Sequence, residues 1–128
     1  MIEFSGRGYC FINRKDRVII QKILGYIRET QQYVSGLTDE TFMQDRKTLS
    51  ACAFTVAQIG ELAKEISEET IVAHQEIPWN AMRGMRNKIV HDYENLDMSV
   101  LWLTITKSLP ELQGKLRNCL FHSPEEIL

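Results

Sequence analysis

The side chains best suited to chemistry lie in one short stretch, residues 83–93, which reads RGMRNKIVHDY. It combines cations, a histidine, an amide, a carboxylate and a phenol. A histidine with an ordinary pKa of about 6.5 can take or give a proton near neutral pH. An arginine guanidinium can bind a phosphate through two parallel hydrogen bonds, which lysine cannot do. The stretch therefore contains groups for proton transfer and for phosphate binding.

The spacing of these residues limits how they can cooperate on a helix. Asn87 and His91 share one stripe, and Arg86 and Tyr93 lie on nearly the same neighbouring stripe. Arg86 and His91 are roughly 140° apart on an ideal helix. For both to bind one ligand, the helix must end or distort near His91, or a second subunit must supply one of the two.

A purely structural interpretation also fits the stretch. Arg83, Arg86 and Lys88 would form a solvated cationic face near a helix C-terminus, where positive charge is favourable. His91 would be a C-terminal cap, and Tyr93 an aromatic at the edge of the core. From the pattern alone, this interpretation is preferred.

The elements that must position the stretch are helices, because apolar residues recur at intervals of three and four. The first predicted helix begins at about Asp16 and is stopped by Ser35-Gly36. Thr38 reads as the N-cap of a short second helix. The third has a stripe from Leu49 to Ile66, and its small residues, Gly60 among them, indicate close packing against a neighbour.

Two further helices follow. Pro78 suits the first turn of the fourth, which carries the polar stretch. Asp97 caps the fifth, whose apolar stripe runs from Leu101 to Leu120, and Pro110 within it predicts a kink rather than a break. No segment alternates like a strand, so we predict an all-α fold, a bundle of four or five helices. Its domain spans residues 14–120, with an N-terminal extension at 1–13, expected to be a loose or partner-bound arm, and a C-terminal tail at 121–128.

Composition limits the function. The chain has 128 residues, 44% of them hydrophobic, and a formal net charge of -2, which indicates one domain and excludes a strongly basic protein that coats nucleic acid. No window approaches about 18 uninterrupted apolar residues, which argues against a membrane span. The N-terminus does not read as a signal peptide. Cys10, Cys52 and Cys119 are far apart, with no CxxC pair, so we expect reduced thiols in a cytoplasm and no zinc site.

The sequence RNKIVHDY resembles the Arg-x4-His-x-Tyr signature of the HEPN superfamily, in the branch of HepT-like toxins paired with minimal nucleotidyltransferases. The similarity extends from about Arg14 to Leu116, and the residues before it inherit nothing from it. Other motifs appear in the family's order and spacing: Ile59-Gly60-Glu61-Leu62-Ala63-Lys64, Ile77-Pro78-Trp79, Gly84-Met85-Arg86-Asn87, His91-Asp92-Tyr93, Asp97, Trp102 and Leu109-Pro110.

This resemblance implies a metal-independent endoribonuclease toxin without a cofactor, acting on RNA as a homodimer whose motifs face each other. Carried onto this chain, the active site is Arg86, Asn87 and His91. Tyr93 matches the tyrosine that a cognate nucleotidyltransferase antitoxin modifies with AMP to silence the toxin. Glu61, inside the similar run, is a candidate to orient Arg86.

Such a reaction is chemically sensible. The RNA 2′-OH would attack the adjacent phosphorus while the 5′-oxygen leaves, which needs a base, an acid and positive charge for the phosphorane oxygens. His91 would move a proton, Arg86 would bind the phosphate, and Asn87 could orient a phosphate oxygen or the imidazole. One chain supplies one motif histidine, so a two-fold dimer would bring two together.

Two alternatives belong to other functional classes. One is a non-catalytic protein that docks substrates for, or regulates, a nucleotidyltransferase. The other is a plain helical dimerisation module, which leaves the polar stretch unexplained. Among the remaining candidates, we expect His74 to be a surface histidine and Trp79 and Trp102 to belong to the core.

Overall fold

The computed structural model describes residues 12–121, and every regular element in that range is helical. The all-α prediction is confirmed. The helices are α1 (Arg14–Tyr33), α2 (Asp39–Gln44), α3 (Arg46–Ala63), α4 (Glu68–Ala73), α5 (Trp79–His91), α6 (Met98–Leu103) and α7 (Leu109–Phe121), with a short 3₁₀ helix at Tyr93–Asn95 and a π turn at Thr104–Ser108.

Side-chain caps fix where several helices begin. Asn13 accepts a hydrogen bond from the Asp16 amide at 2.7 Å, so α1 begins two residues before the predicted start. Thr38 caps α2 and Asp97 caps α6, as predicted. Asp45, which the sequence analysis did not identify, caps α3 through the Thr48 amide at 3.0 Å. Each cap satisfies backbone donors that have no partner within the helix.

Helix α3 runs through the centre of the bundle, with α1 packed on one side and α5 on the other. Its inner positions are small or apolar and buried. Helices α6 and α7, which are joined by the π turn, pack against α1 and α2. Trp102 lies there with its ring centroid 4.9 Å from that of Phe42, and Trp79 is buried, so both tryptophans belong to the core as predicted.

The chain stays helical through Pro110. The preceding turn, Thr104–Ser108, is a π turn in which the Leu109 amide donates to the Thr104 carbonyl. Proline has no backbone N–H to donate, and a wider π turn is one way for a helix to continue past the missing hydrogen bond. A local change of helix type therefore precedes Pro110, and the predicted kink itself stays a prediction.

Two details of the prediction are wrong. Helix α4 was missed, because six residues between two buried stripes give too short a pattern to recognise. Ile12 was assigned to the N-terminal arm, yet it is fully buried in the core. The rest of that arm, residues 1–11, and residues 122–128 of the predicted tail lie outside the described residues.

A buried carboxylate ties α1 to α4. Asp16 is fully buried and accepts hydrogen bonds from the Ser67 amide at 3.2 Å and the Thr70 hydroxyl at 2.6 Å, and also from the Ser67 hydroxyl. Burial alone raises the pKa of this carboxyl, but the hydrogen bonds from Ser67 and Thr70 outweigh it and hold the pKa below its ordinary value. We call Asp16, Ser67 and Thr70 the Asp16 cluster.

The helices described for residues 12–121 are too short or too polar to span a bilayer.

Candidate active site

The site is built where α3 and α5 cross. A Cβ atom placed on Gly60 would lie 2.4 Å from the Cβ of Arg86 and 2.4 Å from the Met82 carbonyl oxygen. Both distances are too short for non-bonded atoms, so only glycine permits this approach of the two backbones. The close packing predicted from the small residues of α3 is confirmed, and it occurs directly beneath Arg86.

Two side chains hold the Arg86 guanidinium. Its Nε lies 2.8 Å from Oε1 of Glu61 on α3, and its Nη1 donates to Oδ1 of Asn87 at 2.9 Å. Glu61 is also 3.8 Å from Nζ of Lys64. Glu61, the candidate to orient Arg86, therefore contacts it directly, and its orienting role stays a prediction.

Arg86 keeps donors for a ligand. A guanidinium has five N–H groups, and the contacts with Glu61 and Asn87 use two of them. The Arg86 side chain is 20% exposed, and none of its remaining donors makes a hydrogen bond within residues 12–121. Asn87 is itself exposed, with its NH₂ group unpaired within residues 12–121.

His91 is the last residue of α5, and the backbone leaves the helix at Asp92 (φ -148°, ψ 43°). Arg86 and His91 therefore both lie within α5 and keep the separation of roughly 140° on the helix. The other arrangement, in which a second subunit supplies one of the two residues, stays a prediction. The imidazole is exposed and makes no hydrogen bond or ion pair with the part of the chain that the structure describes. No hydrogen bond joins it to Arg86 there.

Tyr93 does not lie on the helical stripe of Arg86, where its spacing in the sequence placed it. The placement of Tyr93 on the Arg86 stripe assumed a helix that continues, but α5 ends at His91 and Tyr93 begins a 3₁₀ turn. Its hydroxyl is 3.1 Å from the hydroxyl of Ser50 on α3. Ser50 and Glu61 are three turns apart on α3, about 16 Å along its axis. The structure therefore separates the Tyr93 hydroxyl from the guanidinium of Arg86 within one chain.

An exposed apolar pair lies between the Glu61–Arg86 contact and the Ser50–Tyr93 contact. The contacts Glu61–Arg86 and Ser50–Tyr93 show that α3 and α5 run antiparallel. This puts Phe54 of α3 at the level of Val90 of α5. Phe54 is 58% exposed and Val90 51% exposed. Two large apolar side chains thus face solvent beside the polar site.

The other candidates lie away from this surface. His74 is buried, contrary to prediction, because it follows the unpredicted helix α4, and its Nδ1 is 3.3 Å from Oε2 of Glu76. Burial raises the pKa of the Cys52 thiol to about 11, which keeps it protonated at neutral pH. Within residues 12–121, no three His, Cys, Asp or Glu side chains are grouped so that they could hold a metal ion.

The described residues thus form an all-α bundle that carries an Arg-x4-His pair on the last two turns of α5. Comparison with known sequences gives the family. The sequence model of the ribonuclease HepT-like family matches residues 23–122, and the chain belongs to this family.

Named relatives agree with this assignment. A probable ribonuclease HepT from Thermococcus cleftensis is 33% identical over 81% of this chain and 94% of its own length. A putative RNase from Caldanaerobacter subterraneus is 30% identical over 81% of this chain and 93% of its own. A putative RNase from Methanocaldococcus jannaschii is 26% identical over 76% of this chain and 81% of its own. No solved structure matches the chain.

Proposed function

We propose that this chain is an endoribonuclease that cleaves RNA without a metal ion. The observation that carries the proposal is an arginine held by two side chains, with donors left over, on the same helix end as an unpaired, exposed histidine. Membership of the ribonuclease HepT-like family supports RNA as the substrate.

The reaction is an internal transfer of the phosphodiester. The 2′-oxygen forms a bond to the adjacent phosphorus, and the bond from phosphorus to the 5′-oxygen breaks. A base takes the proton of the 2′-OH, and an acid gives a proton to the leaving oxygen. The products are a 2′,3′-cyclic phosphate and a 5′-OH, so no water is consumed in this step.

The site residues divide this work. Arg86 binds the phosphate and stabilises the charge that grows on its oxygens. His91 moves a proton, because imidazole titrates near neutral pH. Asn87 holds Nη1 of Arg86 through its oxygen, and its NH₂ group can donate to a phosphate oxygen.

The working unit in this proposal is a homodimer. The reaction needs an acid and a base, and one chain brings one motif histidine. The exposed pair Phe54 and Val90 lies on the same surface as the site, and burying it against a second copy would bring two sites together around a two-fold axis. Light scattering at micromolar concentration should give the mass of a dimer, whereas a monomer would exclude the composite site.

The cleavage itself is tested with purified protein and a labelled RNA. Cleavage should continue in excess EDTA and leave 2′,3′-cyclic or 3′-phosphate ends. A 2′-deoxy residue at the cleavage position should block it, because the nucleophile is then missing. Loss of activity with EDTA, or 5′-phosphate ends, would contradict the mechanism.

We further propose that the chain is a cytoplasmic toxin silenced by a cognate minimal nucleotidyltransferase, which adds AMP to Tyr93. Among the described residues, the Tyr93 hydroxyl hydrogen-bonds only with Ser50, and Ser50 is exposed. AMP there would add an anionic phosphodiester and a bulky base to the surface that carries Phe54 and Val90. The AMP would be attached beside Ser50, three turns of α3 away from Glu61 and Arg86 of the same chain. It would act by obstructing the shared face.

Mass spectrometry after co-expression with the nucleotidyltransferase tests this role. We expect mass additions of about 329 Da per AMP, with the charge change of a phosphate modification, and none in Tyr93→Phe. AMP on another residue would remove Tyr93 from the mechanism. If the wild-type chain bound RNA or the nucleotidyltransferase but cleaved nothing, the alternative of a non-catalytic regulatory partner would replace the enzyme.

A further inference from the structure

We propose that Glu61 is a positioning residue of this site, which sets the orientation of the Arg86 guanidinium through Nε so that its outer edge faces the RNA phosphate. The proposal rests on the proposed function, because it assigns Glu61 an effect on the cleavage step.

The contact geometry supports a positioning role. Glu61 binds Nε at 2.8 Å, the one guanidinium nitrogen that lies within the side chain rather than at its tip. A carboxylate on Nε fixes the plane of the guanidinium, while Asn87 holds Nη1 at 2.9 Å. With both contacts made, the edge formed by the two terminal nitrogens keeps one Nη1 donor and both Nη2 donors for a ligand.

The backbone beneath the contact is equally constrained. Gly60 brings α3 against α5 directly below Arg86, and Glu61 is the next residue. The distance between the carboxylate and the guanidinium is therefore set by two packed helices. A mobile loop would not hold it in this way. Sites held on regular elements keep their geometry more closely than sites on loops.

The charge of Glu61 works against RNA binding. A carboxylate beside Arg86 reduces the positive potential that attracts a phosphate. Both side chains reach solvent, Arg86 at 20% and Glu61 at 42% exposure, and such pairs contribute little to folding stability. The contact between Glu61 and Arg86 thus lowers the affinity for RNA and adds little to folding stability. The effect that remains is the orientation of Arg86.

This assignment predicts a split between rate and affinity. Glu61→Ala should lower the single-turnover cleavage rate by about 10–100-fold, since misplacement of a catalytic group by about 1 Å can cost 100-fold. Its affinity for a non-cleavable 2′-deoxy analogue of the RNA should be unchanged or tighter. Glu61→Gln keeps an oxygen that accepts from Nε and should recover most of the rate.

Glu65→Ala is the matched control. Glu65 is exposed, lies just after the end of α3, and its carboxylate makes no ion pair within the described residues. Its loss therefore removes the same charge from this region without removing a contact of Arg86. We expect its cleavage rate to equal that of the wild type. The Nε–H signal of Arg86 in ¹⁵N spectra gives a second readout, which should shift and exchange faster in Glu61→Ala and not in Glu65→Ala.

The possible results separate this proposal from the proposed function. If the wild-type chain cleaves no RNA, the proposed function fails and takes the role of Glu61 with it. If the wild type cleaves and Glu61→Ala cleaves equally fast, or if rate and affinity fall together with the melting temperature, only the positioning role fails. A Glu61→Gln variant as slow as Glu61→Ala would also overturn it.

Discussion

The Asp16 cluster and the Arg86 site each hold a charged side chain between two helices, but they treat its hydrogen-bonding groups in opposite ways. Asp16 is fully buried, and Ser67 and Thr70 donate to its carboxylate. Arg86 is partly exposed, and Glu61 and Asn87 use only part of its donor set. A buried charge must be satisfied by the protein, whereas a charge that serves a ligand must keep groups unpaired.

This difference predicts that the two regions respond to substitution differently. Changes in the Asp16 cluster should lower stability and leave the cleavage rate of the folded protein unaltered. Changes at the Arg86 site should do the reverse. The largest effects are expected for substitutions of Arg86 and His91.

Arg86→Ala and His91→Ala should nearly abolish cleavage without unfolding the protein. Loss of a donor to the transition state costs about 10²–10³ in rate, and loss of an acid or base about 10²–10⁴. Cleavage rates and thermal melts of the same samples measure both effects. Arg117→Ala, an exposed arginine on α7, is the control and should match the wild type. Full activity in His91→Ala would remove His91 from proton transfer, and loss of the fold in both variants would favour the purely structural interpretation.

Asp16→Asn should destabilise the protein by about 1–3 kcal/mol, the cost of leaving buried donors without a suitable acceptor. The amide places an NH₂ group where Ser67 or Thr70 now donates. Urea unfolding measures the loss, with exposed Asp39→Asn as the control. Cleavage at a temperature where the variant is folded should be unchanged, and a lower rate there would show that the two regions are coupled.

The same carboxylate predicts a pH dependence of stability. The pKa of Asp16 is lowered in the folded state, so the unfolded chain binds this proton more readily. Its contribution is therefore present above the unfolded pKa of about 3.9 and is lost as the pH falls below that value. The gap in unfolding free energy between wild type and Asp16→Asn should shrink in acid. A gap that stays constant from neutral pH down to about pH 3 would contradict this account.

Gly60→Ala should affect stability and activity together, because Gly60 belongs both to the core and to the site. The new Cβ would lie 2.4 Å from Arg86 Cβ and from the Met82 carbonyl oxygen, so α3 and α5 must separate. Overpacking of this kind costs about 1–3 kcal/mol, and Arg86 would move away from Glu61. Gly114→Ala on α7, where a Cβ meets nothing within 4 Å, is the control. A stable and fully active Gly60→Ala would show that the crossing does not position the site.

The sequence predicts local features of this molecule better than long-range ones. Apolar periodicity and the caps at Thr38 and Asp97 depend on neighbouring residues, and they were predicted correctly. The Asp16 cluster could not be predicted, because its partners Ser67 and Thr70 come from a helix far along the chain. Short α4 has too little pattern of its own.

The site shows the same division. The residue types of Arg86, Asn87 and His91 are readable from the motif, and the contact with Glu61 was proposed from the similar run. The direction of Tyr93 was not readable, since it depends on α5 ending at His91, where the sequence has no glycine or proline to mark the end. Only the packing of α5 on α3 shows that Tyr93 meets Ser50.

Ser50→Ala should give the smallest effect, because Ser50 contacts neither the buried cluster nor Arg86. The 3.1 Å hydrogen bond to Tyr93 is exposed, and its loss should cost at most about 1 kcal/mol. Tyr93→Phe removes the same hydrogen bond from the other side. A double-mutant cycle should therefore show that the two losses in unfolding free energy are not additive. The double variant should be as stable as the less stable of the two single variants. All three variants should cleave RNA at the wild-type rate. A tenfold slower Ser50→Ala would mean that Tyr93 acts in the chemistry itself, and the distance of about 16 Å along α3 would then be bridged by a second chain, whose Tyr93 reaches the Arg86 of the first.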